Sequence, residues 1–179
     1  MKKQIPVPLD FEIDKLTNSI ENALSGEVFK TEIVDMKSDD VLSLAKKEWL
    51  FNWMEEAVMG HELYKLITHQ NPAIIQGLIS LEDRPDHIFI YLIESAPFNR
   101  GKSKLFRGVA GNLVAFACKL AFERGFDGFV VFEAKSQLIE HYENSLGAKR
   151  MYGQRMFLDK EAAKSLIRSY FKDFYDARL

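Results

Sequence analysis

The spacing of apolar and polar residues predicts a helix, a strand and a second helix in the first quarter of the chain. Over residues 10–25, apolar residues recur every three or four positions and Gly26 follows, which indicates an amphipathic N-terminal helix. Over residues 29–33, Phe, Thr and Ile alternate with Lys and Glu, as in a half-buried strand. A second helix is expected to begin at Ser38, because two acidic residues occupy its first turn.

Three apolar runs in the middle of the chain indicate a meander of antiparallel strands. They cover residues 63–67, 73–81 and 88–93, and the turn sequences Asn-Pro and Asp-Arg-Pro-Asp separate them. The third run, IFIYLI, has no polar alternation. It therefore predicts a strand that is covered on both faces and lies in the centre of the sheet.

The second half of the chain predicts alternating helices and strands after a basic, glycine-containing loop. The pattern indicates a helix over residues 112–124, a buried strand over 129–132, a helix over 136–146, a last strand over 151–158 and a C-terminal helix over about 160–175. Because no repeat, linker or low-complexity tract divides the sequence, residues 1–179 are expected to form a single domain.

Composition and charge exclude several classes of protein. The 179 residues are 47% hydrophobic and 28% charged, unlike a disordered chain, and the formal net charge of -2 provides no overall attraction to nucleic acid or to an anionic membrane. No apolar run is long enough to span a membrane or to form a secretion signal. The single cysteine, Cys118, fits a reducing compartment, so a cytoplasmic location is expected. The four histidines form no ligand pair at metal-site spacing, so no metal is expected.

Small residues at the start of the predicted helix after the basic loop form a candidate anion site. Small side chains let the backbone approach a ligand closely, and the free N–H groups of a helix N-terminus attract phosphate. The same sequence also fits a plain turn into a helix, with the nearby cations solvating a loop. The segment comprises Arg107, Gly108, Val109, Ala110, Gly111 and Asn112, and Arg100, Lys102 and Lys104 precede it.

An overlapping segment, APFNRGKS at residues 96–103, fits a permissive P-loop pattern in which Ala96 replaces the first glycine. A P-loop needs a helix to begin at its Gly-Lys-Ser, but Gly108 and Gly111 would interrupt such a helix within two turns. The preceding meander also differs from the βαβ units of P-loop folds. A nucleotide-binding P-loop is therefore kept as a lesser alternative.

The helix over residues 136–146 carries Tyr142 on its inward face, together with Leu138 and Leu146. A phenol at that place could donate a proton to a leaving group. A core tyrosine with a satisfied hydroxyl group fits the same pattern.

The element order and these motifs together resemble the GNAT-type N-acetyltransferases. The resemblance covers residues 29–158 in element order and is most specific over residues 88–148. It implies an α/β (α+β) fold with a mixed, mainly antiparallel central sheet, helices on its faces and splayed central strands. It also implies that acetyl-CoA donates an acetyl group directly to a primary amine, carried by a small molecule or a peptide.

The resemblance also implies roles for individual residues. Backbone groups of Ser95 and Ala96 would pair with the pantetheine arm as a further strand, and Ser136 falls near the family's pantetheine-contacting asparagine. Tyr142 would be the proton donor, and Glu94 is the candidate general base for the incoming ammonium group. The pyrophosphate would be held by the amides of Gly108, Val109, Ala110, Gly111 and Asn112, beside Lys104 and Arg107.

Three alternatives stay open. Leu105 falls where the family has a leading Gln or Arg, which favours a catalytically silent coenzyme A- or partner-binding module on the same scaffold. The cations over residues 100–107 could instead bind nucleic acid. The aromatic stripe of the C-terminal helix packs either on the domain or against a second copy of the chain, which leaves a homodimer open.

Overall fold

The computed structural model describes residues 6–14, 16, 19–44 and 48–179, which form ten strands and six helices. The strands are β1 (Ile20–Asn22), β2 (Val28–Phe29), β3 (Thr31–Asp35), β4 (Glu62–Thr68), β5 (Gly77–Asp83), β6 (Ile88–Ser95), β7 (Phe106–Arg107), β8 (Val130–Glu133), β9 (Lys149–Tyr152) and β10 (Arg155–Leu158). The helices are α1 (Ser38–Leu44), α2 (Trp53–Val58), α3 (Val109–Glu123), α4 (Ile139–Leu146), α5 (Lys160–Tyr170) and α6 (Lys172–Arg178), and short 3-10 turns occupy Pro97–Asn99 and Ser136–Leu138.

A seven-stranded sheet organises the molecule, in the order β3-β4-β5-β6-β8-β10-β9. Strands β3 to β6 form the predicted antiparallel meander, whereas β6 and β8 pair in parallel. Strand β6 is the fourth of the seven strands and is buried along almost its whole length, which confirms the prediction of a central, doubly covered strand. The fold is the predicted mixed, mainly antiparallel sheet flanked by helices.

Helix α3 covers one face of the sheet with a buried apolar side on which alanines alternate with larger residues. Leu113, Ala117 and Ala121 are fully buried, and the helix packs on β5, β6 and α5. The opposite face carries a second apolar cluster, in which Trp53 of α2 packs with residues of β6 and β8. Burial of each large apolar side chain contributes about 1.5–3 kcal/mol to folding.

The two central parallel strands diverge after a short shared stretch. Ile88, Phe89 and Ile90 of β6 pair with residues of β8, but β6 continues to Ser95 while the chain after β8 turns away. This is the predicted splay. Just beyond the end of β8, Leu9 forms an isolated parallel bridge with Ala134.

The prediction of an N-terminal helix over residues 10–25 is wrong. Residues 10–14 have no regular secondary structure, and Ile20–Asn22 form β1, which lies between β2 and β7 in a small second sheet. Ile13 and Ile20 are nevertheless both buried. Their spacing imitates a helical period, but Ile13 lies outside regular secondary structure and Ile20 lies in a strand, so tertiary burial overrides the local pattern.

Two further predictions at the C-terminal end need correction. Residues 151–158 do not form one strand: β9 and β10 form a hairpin, with Gly153 in the left-handed region at its turn. The helix expected over residues 160–175 is interrupted at Phe171, where the backbone leaves the helical conformation, and so becomes α5 and α6. In the described part of the chain, no helix is long and apolar enough to cross a membrane.

Candidate functional site

A cavity of about 480 Å³ opens where β6 leaves β8. One wall is the end of β6, and a second is the basic loop after it. The start of α3 closes one end, and the third wall is the N-terminal segment at residues 10–14. The lining includes Glu94, Ser95, Arg100, Lys102, Lys104 and Asp14.

Glu94 lies at this cavity, at the end of the central strand as predicted. Its side chain is buried, and both carboxylate oxygens accept hydrogen bonds. The donors are the backbone N–H of Leu50 at 2.7 Å and of Phe51 at 3.2 Å, the indole N–H of Trp53 at 2.9 Å, and Nη2 of Arg100 at 2.6 Å. These contacts give both carboxylate oxygens hydrogen-bond donors and tie the segment before α2 to β6.

Tyr142 is fully buried, and its hydroxyl group is engaged by the backbone of the N-terminal segment. The hydroxyl donates to the carbonyl oxygen of Phe11 at 2.6 Å and accepts from the Phe11 N–H at 3.3 Å. Burial raises the pKa of Tyr142 well above its usual range. The cavity is lined by Phe11 but not by Tyr142, so in this conformation Phe11 lies between the phenol and the cavity.

The carboxylate of Asp14, from the N-terminal segment, is bound at the start of α3. Gly108 precedes the helix with a φ of 90°, a conformation that favours glycine. Its N–H donates to Oδ1 of Asp14 at 3.1 Å, and Lys104 Nζ donates to Oδ2 of the same residue at 2.9 Å. A helix N-terminus and a lysine are partners that suit an anion.

The other residues of the predicted pyrophosphate loop divide into two groups. Val109 and Ala110 line the cavity. Gly111 serves packing, because a methyl group there would come within 2.2 Å of the hydroxyl oxygen of Tyr170. Asn112 is buried and donates to Thr31 Oγ1 at 3.0 Å, while its Oδ1 has no hydrogen-bond partner among the described residues.

The predicted pantetheine contacts are only partly brought to the cavity. Ser95 lines it, and its carbonyl oxygen accepts from Arg100 Nε at 2.8 Å. The N–H of Ala96 donates to the carbonyl oxygen of Gln76 at 2.9 Å and is thereby paired on the opposite side of β6.

Two residues assigned from the resemblance lie away from the cavity. Arg107 is exposed and pairs in register with Glu21 of β1, so it belongs to the small sheet. Ser136 is exposed, and its hydroxyl accepts from Gln154 Nε2 at 2.8 Å. Neither lines the cavity.

The arrangement after β6 does not fit a P-loop. A 3-10 turn and β7 lie between β6 and α3, so no helix begins at the Gly-Lys-Ser of residues 101–103. Strand β6 also pairs antiparallel with β5 rather than standing in a series of βαβ units. The buried side chain of Asn99 shapes this loop instead, since it donates to Gln76 Oε1 at 2.9 Å and accepts from the Phe106 N–H at 3.1 Å.

The residues that the sequence reasoning missed lie in the N-terminal segment. Residues 9–14 read Leu-Asp-Phe-Glu-Ile-Asp, a strict alternation of apolar and acidic side chains. That period of two is the signal of an extended segment and could have revealed it. Asp10, Glu12 and Asp14 line the cavity, whereas Leu9 and Ile13 are buried. Across the described residues, no group of three or more His, Cys, Asp or Glu side chains is placed to hold a metal ion.

Comparison with known proteins supports the fold at low sequence identity. No family sequence model matches the chain, and a search of curated proteins finds no match. Among solved structures, the ribosomal-protein-S18-alanine N-acetyltransferase from Escherichia coli matches with a TM-score of 0.53 and 15% identity, over 72% of this chain and 93% of that one. AtaT complexed with acetyl-methionyl-tRNAfMet matches with a TM-score of 0.54 and 13% identity, over 77% and 99%. AtaTR bound with AcCoA matches with a TM-score of 0.52 and 11% identity, over 76% and 98%. The splayed sheet, the cavity beside it and these three matches together identify the fold of this chain as that of the GNAT-type N-acetyltransferases.

Proposed function

We propose that this protein transfers the acetyl group of acetyl-CoA to a primary amine on a small molecule or a peptide. The observation that carries the proposal is the cavity of about 480 Å³ that begins where β6 and β8 diverge and ends at the N-terminus of α3. It combines a strand edge, a helix N-terminus and several cations in one cleft. The solved complex of AtaTR with AcCoA shares this fold and supports the choice of donor.

The donor is proposed to lie along the cavity with its two ends recognised differently. The pantetheine arm carries amide groups, which can pair with the edge of β6 near Ser95 as a further strand would. The diphosphate is an anion, and Lys102 and Lys104 of the cavity lining suit it, together with the N–H of Gly108 once Asp14 releases it. Arg107 and Ser136 are left out of the proposed site, because Arg107 belongs to the small sheet, Ser136 bonds to Gln154, and neither lines the cavity.

The acceptor is proposed to bind on the far side of the segment at residues 48–53. Leu50 and Phe51 line both the donor cavity and a second cavity of about 340 Å³, so this segment separates the two. A third cavity, of about 780 Å³, shares Trp49 with the second and is mostly apolar, with Glu48 at its wall. This lining suits an amine with an apolar body and a cationic group, because Glu48 attracts the cation.

The proposed reaction is a direct transfer. The neutral amine attacks the thioester carbonyl carbon, a C–N bond forms and the C–S bond breaks. The amine nitrogen releases its proton to solvent water, and the departing thiolate takes a proton from a donor that solvent water reprotonates. Glu94 is proposed as a positioning residue, because four donors already occupy its carboxylate. Tyr142 is proposed as the donor of the thiolate's proton once Phe11 no longer covers it.

A catalytically silent coenzyme A-binding module is the second candidate. Two observations favour it: the Tyr142 hydroxyl group is fully bonded to Phe11, and the Glu94 carboxylate is fully bonded to its four donors. Such a module would bind coenzyme A with no turnover.

Calorimetry and a thiol-release assay test the proposal together. The purified chain is expected to bind coenzyme A without magnesium and to release free thiol from acetyl-CoA only when an amine from a panel of small amines and peptides is present. Lys102→Ala is expected to weaken coenzyme A binding several-fold, whereas Lys172→Ala, which removes an exposed lysine of α6, leaves it unchanged. Binding without turnover on any amine would favour the silent module, and no binding would contradict both candidates.

A further inference from the structure

We infer that residues 9–14 act as an intramolecular strap that occupies the donor cleft and must leave it when acyl-CoA binds. This inference rests on the proposed function, because it concerns the regulation of the same cavity. We call these residues the N-terminal strap. Three separate anchors hold the strap. The first is the open edge of β8, which faces the cleft between β8 and β6, and the other two use groups that the donor or the reaction would need.

The first anchor is the strand edge that the splay exposes. The Leu9 N–H donates to the carbonyl oxygen of Glu133 at 2.8 Å, and the Lys135 N–H donates to the carbonyl oxygen of Leu9 at 3.2 Å. The strap thereby adds itself to the end of β8 as a short parallel strand. An extended chain segment that pairs with an open sheet edge is a common mode of peptide binding, and here the peptide belongs to the protein itself.

The second anchor is helix α4. The Phe11 N–H and carbonyl oxygen both bond to the Tyr142 hydroxyl, and the Ile13 N–H donates to His141 Nε2 at 2.7 Å. The Phe11 ring also packs against the Tyr142 ring, with 5.7 Å between their centroids. The backbone N–H groups of every second strap residue, 9, 11 and 13, are therefore bound by the body of the protein. The same contacts keep the Tyr142 hydroxyl away from a thioester in the cavity.

The third anchor imitates an anionic ligand. The Asp14 carboxylate accepts from the Gly108 N–H through one oxygen and from Lys104 through the other. These are the groups proposed above to bind the diphosphate. Asp14 and a diphosphate cannot use the same N–H and the same lysine together, so the two must compete.

The charge of the strap opposes donor binding while the strap is in place. Asp10, Glu12 and Asp14 all line the cavity. In the closed cleft, the three carboxylates of the strap would repel a diphosphate. The free energy of the bound diphosphate would therefore be higher than in a cleft without the strap. Coenzyme A therefore binds the open state better than the closed state, and a ligand with such a preference shifts the population towards the open state.

The test compares coenzyme A binding and strap protection in the full-length chain and three variants. Asp14→Asn removes the anion mimic, and His141→Ala removes the acceptor of the Ile13 N–H without changing a charge in the cavity. Asp176→Asn makes the same charge change on an exposed residue of α6 and serves as the control. Calorimetry gives the affinity for coenzyme A, and hydrogen exchange gives the protection of the amides of residues 9, 11 and 13.

Asp14→Asn and His141→Ala are both expected to bind coenzyme A at least fivefold more tightly than the natural chain. Each variant weakens the closed state, so a larger fraction of the molecules is open and the apparent affinity for coenzyme A is higher. Their strap amides should exchange faster without ligand, and saturating coenzyme A should raise exchange of these amides in the natural chain. The control should change neither quantity. Tight binding to the natural chain with unchanged or increased strap protection would overturn the strap and leave the proposed function intact. Absence of coenzyme A binding to the chain and to every variant would overturn both.

Discussion

Arg100 lies 2.6 Å from a carboxylate oxygen of Glu94, and this ion pair joins two walls of the donor cavity. Arg100 belongs to the basic loop, while Glu94 ends the central strand and also holds the segment before α2. The Glu94 side chain is only 3% exposed, so its charge depends on these partners for compensation. One carboxylate thus fixes the positions of the loop, the strand and the segment that separates the donor cavity from its neighbour.

Glu94→Ala is expected to lower the free energy of unfolding by about 3 kcal/mol, since it leaves buried donors without their acceptor and separates a largely buried ion pair. Chemical denaturation measures this change. Glu133→Ala is the matched control: it breaks a partly exposed pair with Arg155 and should lose less than about 1 kcal/mol.

The kinetic behaviour of Glu94→Gln separates a positioning residue from a general base. A positioning residue predicts that KM for the amine rises while the shape of the pH-rate profile stays the same. Disappearance of the acidic limb of that profile, with unchanged stability and KM, would instead identify Glu94 as the base, because a general base loses activity when it is protonated.

Tyr142→Phe is expected to remove the hydroxyl contacts to Phe11 and to lower the free energy of unfolding by about 1 kcal/mol. The Tyr142 hydroxyl carries its proton at neutral pH, and burial, which raises the pKa of Tyr142, makes it a weaker acid while Phe11 covers it, so proton donation depends on the departure of Phe11. The variant should therefore show a lower kcat together with faster exchange of the Phe11 amide.

Tyr91→Phe provides the comparison for Tyr142→Phe. Tyr91 is also buried and donates its hydroxyl hydrogen to Glu82 at 2.7 Å, but it belongs to the apolar cluster around Trp53, whereas Tyr142 belongs to the other cluster and bonds to Phe11. A similar loss of stability is expected, with kcat and Phe11 exchange unchanged. Equal effects of both variants on kcat would contradict a special role for Tyr142.

The sequence predicted most of the central sheet but little of how the site is closed. Strand β6 and helix α3 were predictable because their apolar patterns are local and strong. The strap was not, since its contacts join residues far apart in the chain, such as Phe11 and Tyr142, which are separated by 131 positions. The apolar residues of this part of the chain also fit two different repeats, one helical and one with a period of two residues. Buried Ile13 and Ile20 suggested a helix, and the alternation over residues 9–14 indicated the extended path that the structure shows.

The glycines of the predicted pyrophosphate loop show the same limit. The sequence assigns Gly108 and Gly111 the same role in anion binding. In the structure only the Gly108 N–H donates to a carboxylate, that of Asp14, whereas Gly111 packs against Tyr170 of α5. The difference lies in the packing of α5 on α3, which no local pattern encodes.

Gly111→Ala is therefore expected to destabilise the chain through packing. Alanine normally favours a helix interior over glycine by about 1 kcal/mol, but here the added methyl group would lie 2.2 Å from the Tyr170 hydroxyl oxygen. Overpacking of this kind lowers the free energy of unfolding by about 1–3 kcal/mol. The double variant with Tyr170→Phe should recover part of the loss in a thermal melt, and a stability gain in the single variant would contradict the contact.

Asp159 provides a test of stability against pH at a site far from the cavity. Its carboxylate accepts from Lys149 Nζ at 2.5 Å and from the Ala162 N–H at 3.0 Å, where it caps α5, and these contacts lower the pKa of Asp159 below its usual value. A lowered folded-state pKa means that the stabilisation is present above the unfolded-state pKa, near 4, and is lost as the pH falls through the folded-state value. Asp159→Ala should therefore lower the free energy of unfolding by about 1 kcal/mol at pH 7. Denaturation at pH 7 and pH 3 should show the difference between the natural chain and the variant shrinking in acid, and a difference that grew in acid would contradict the lowered pKa.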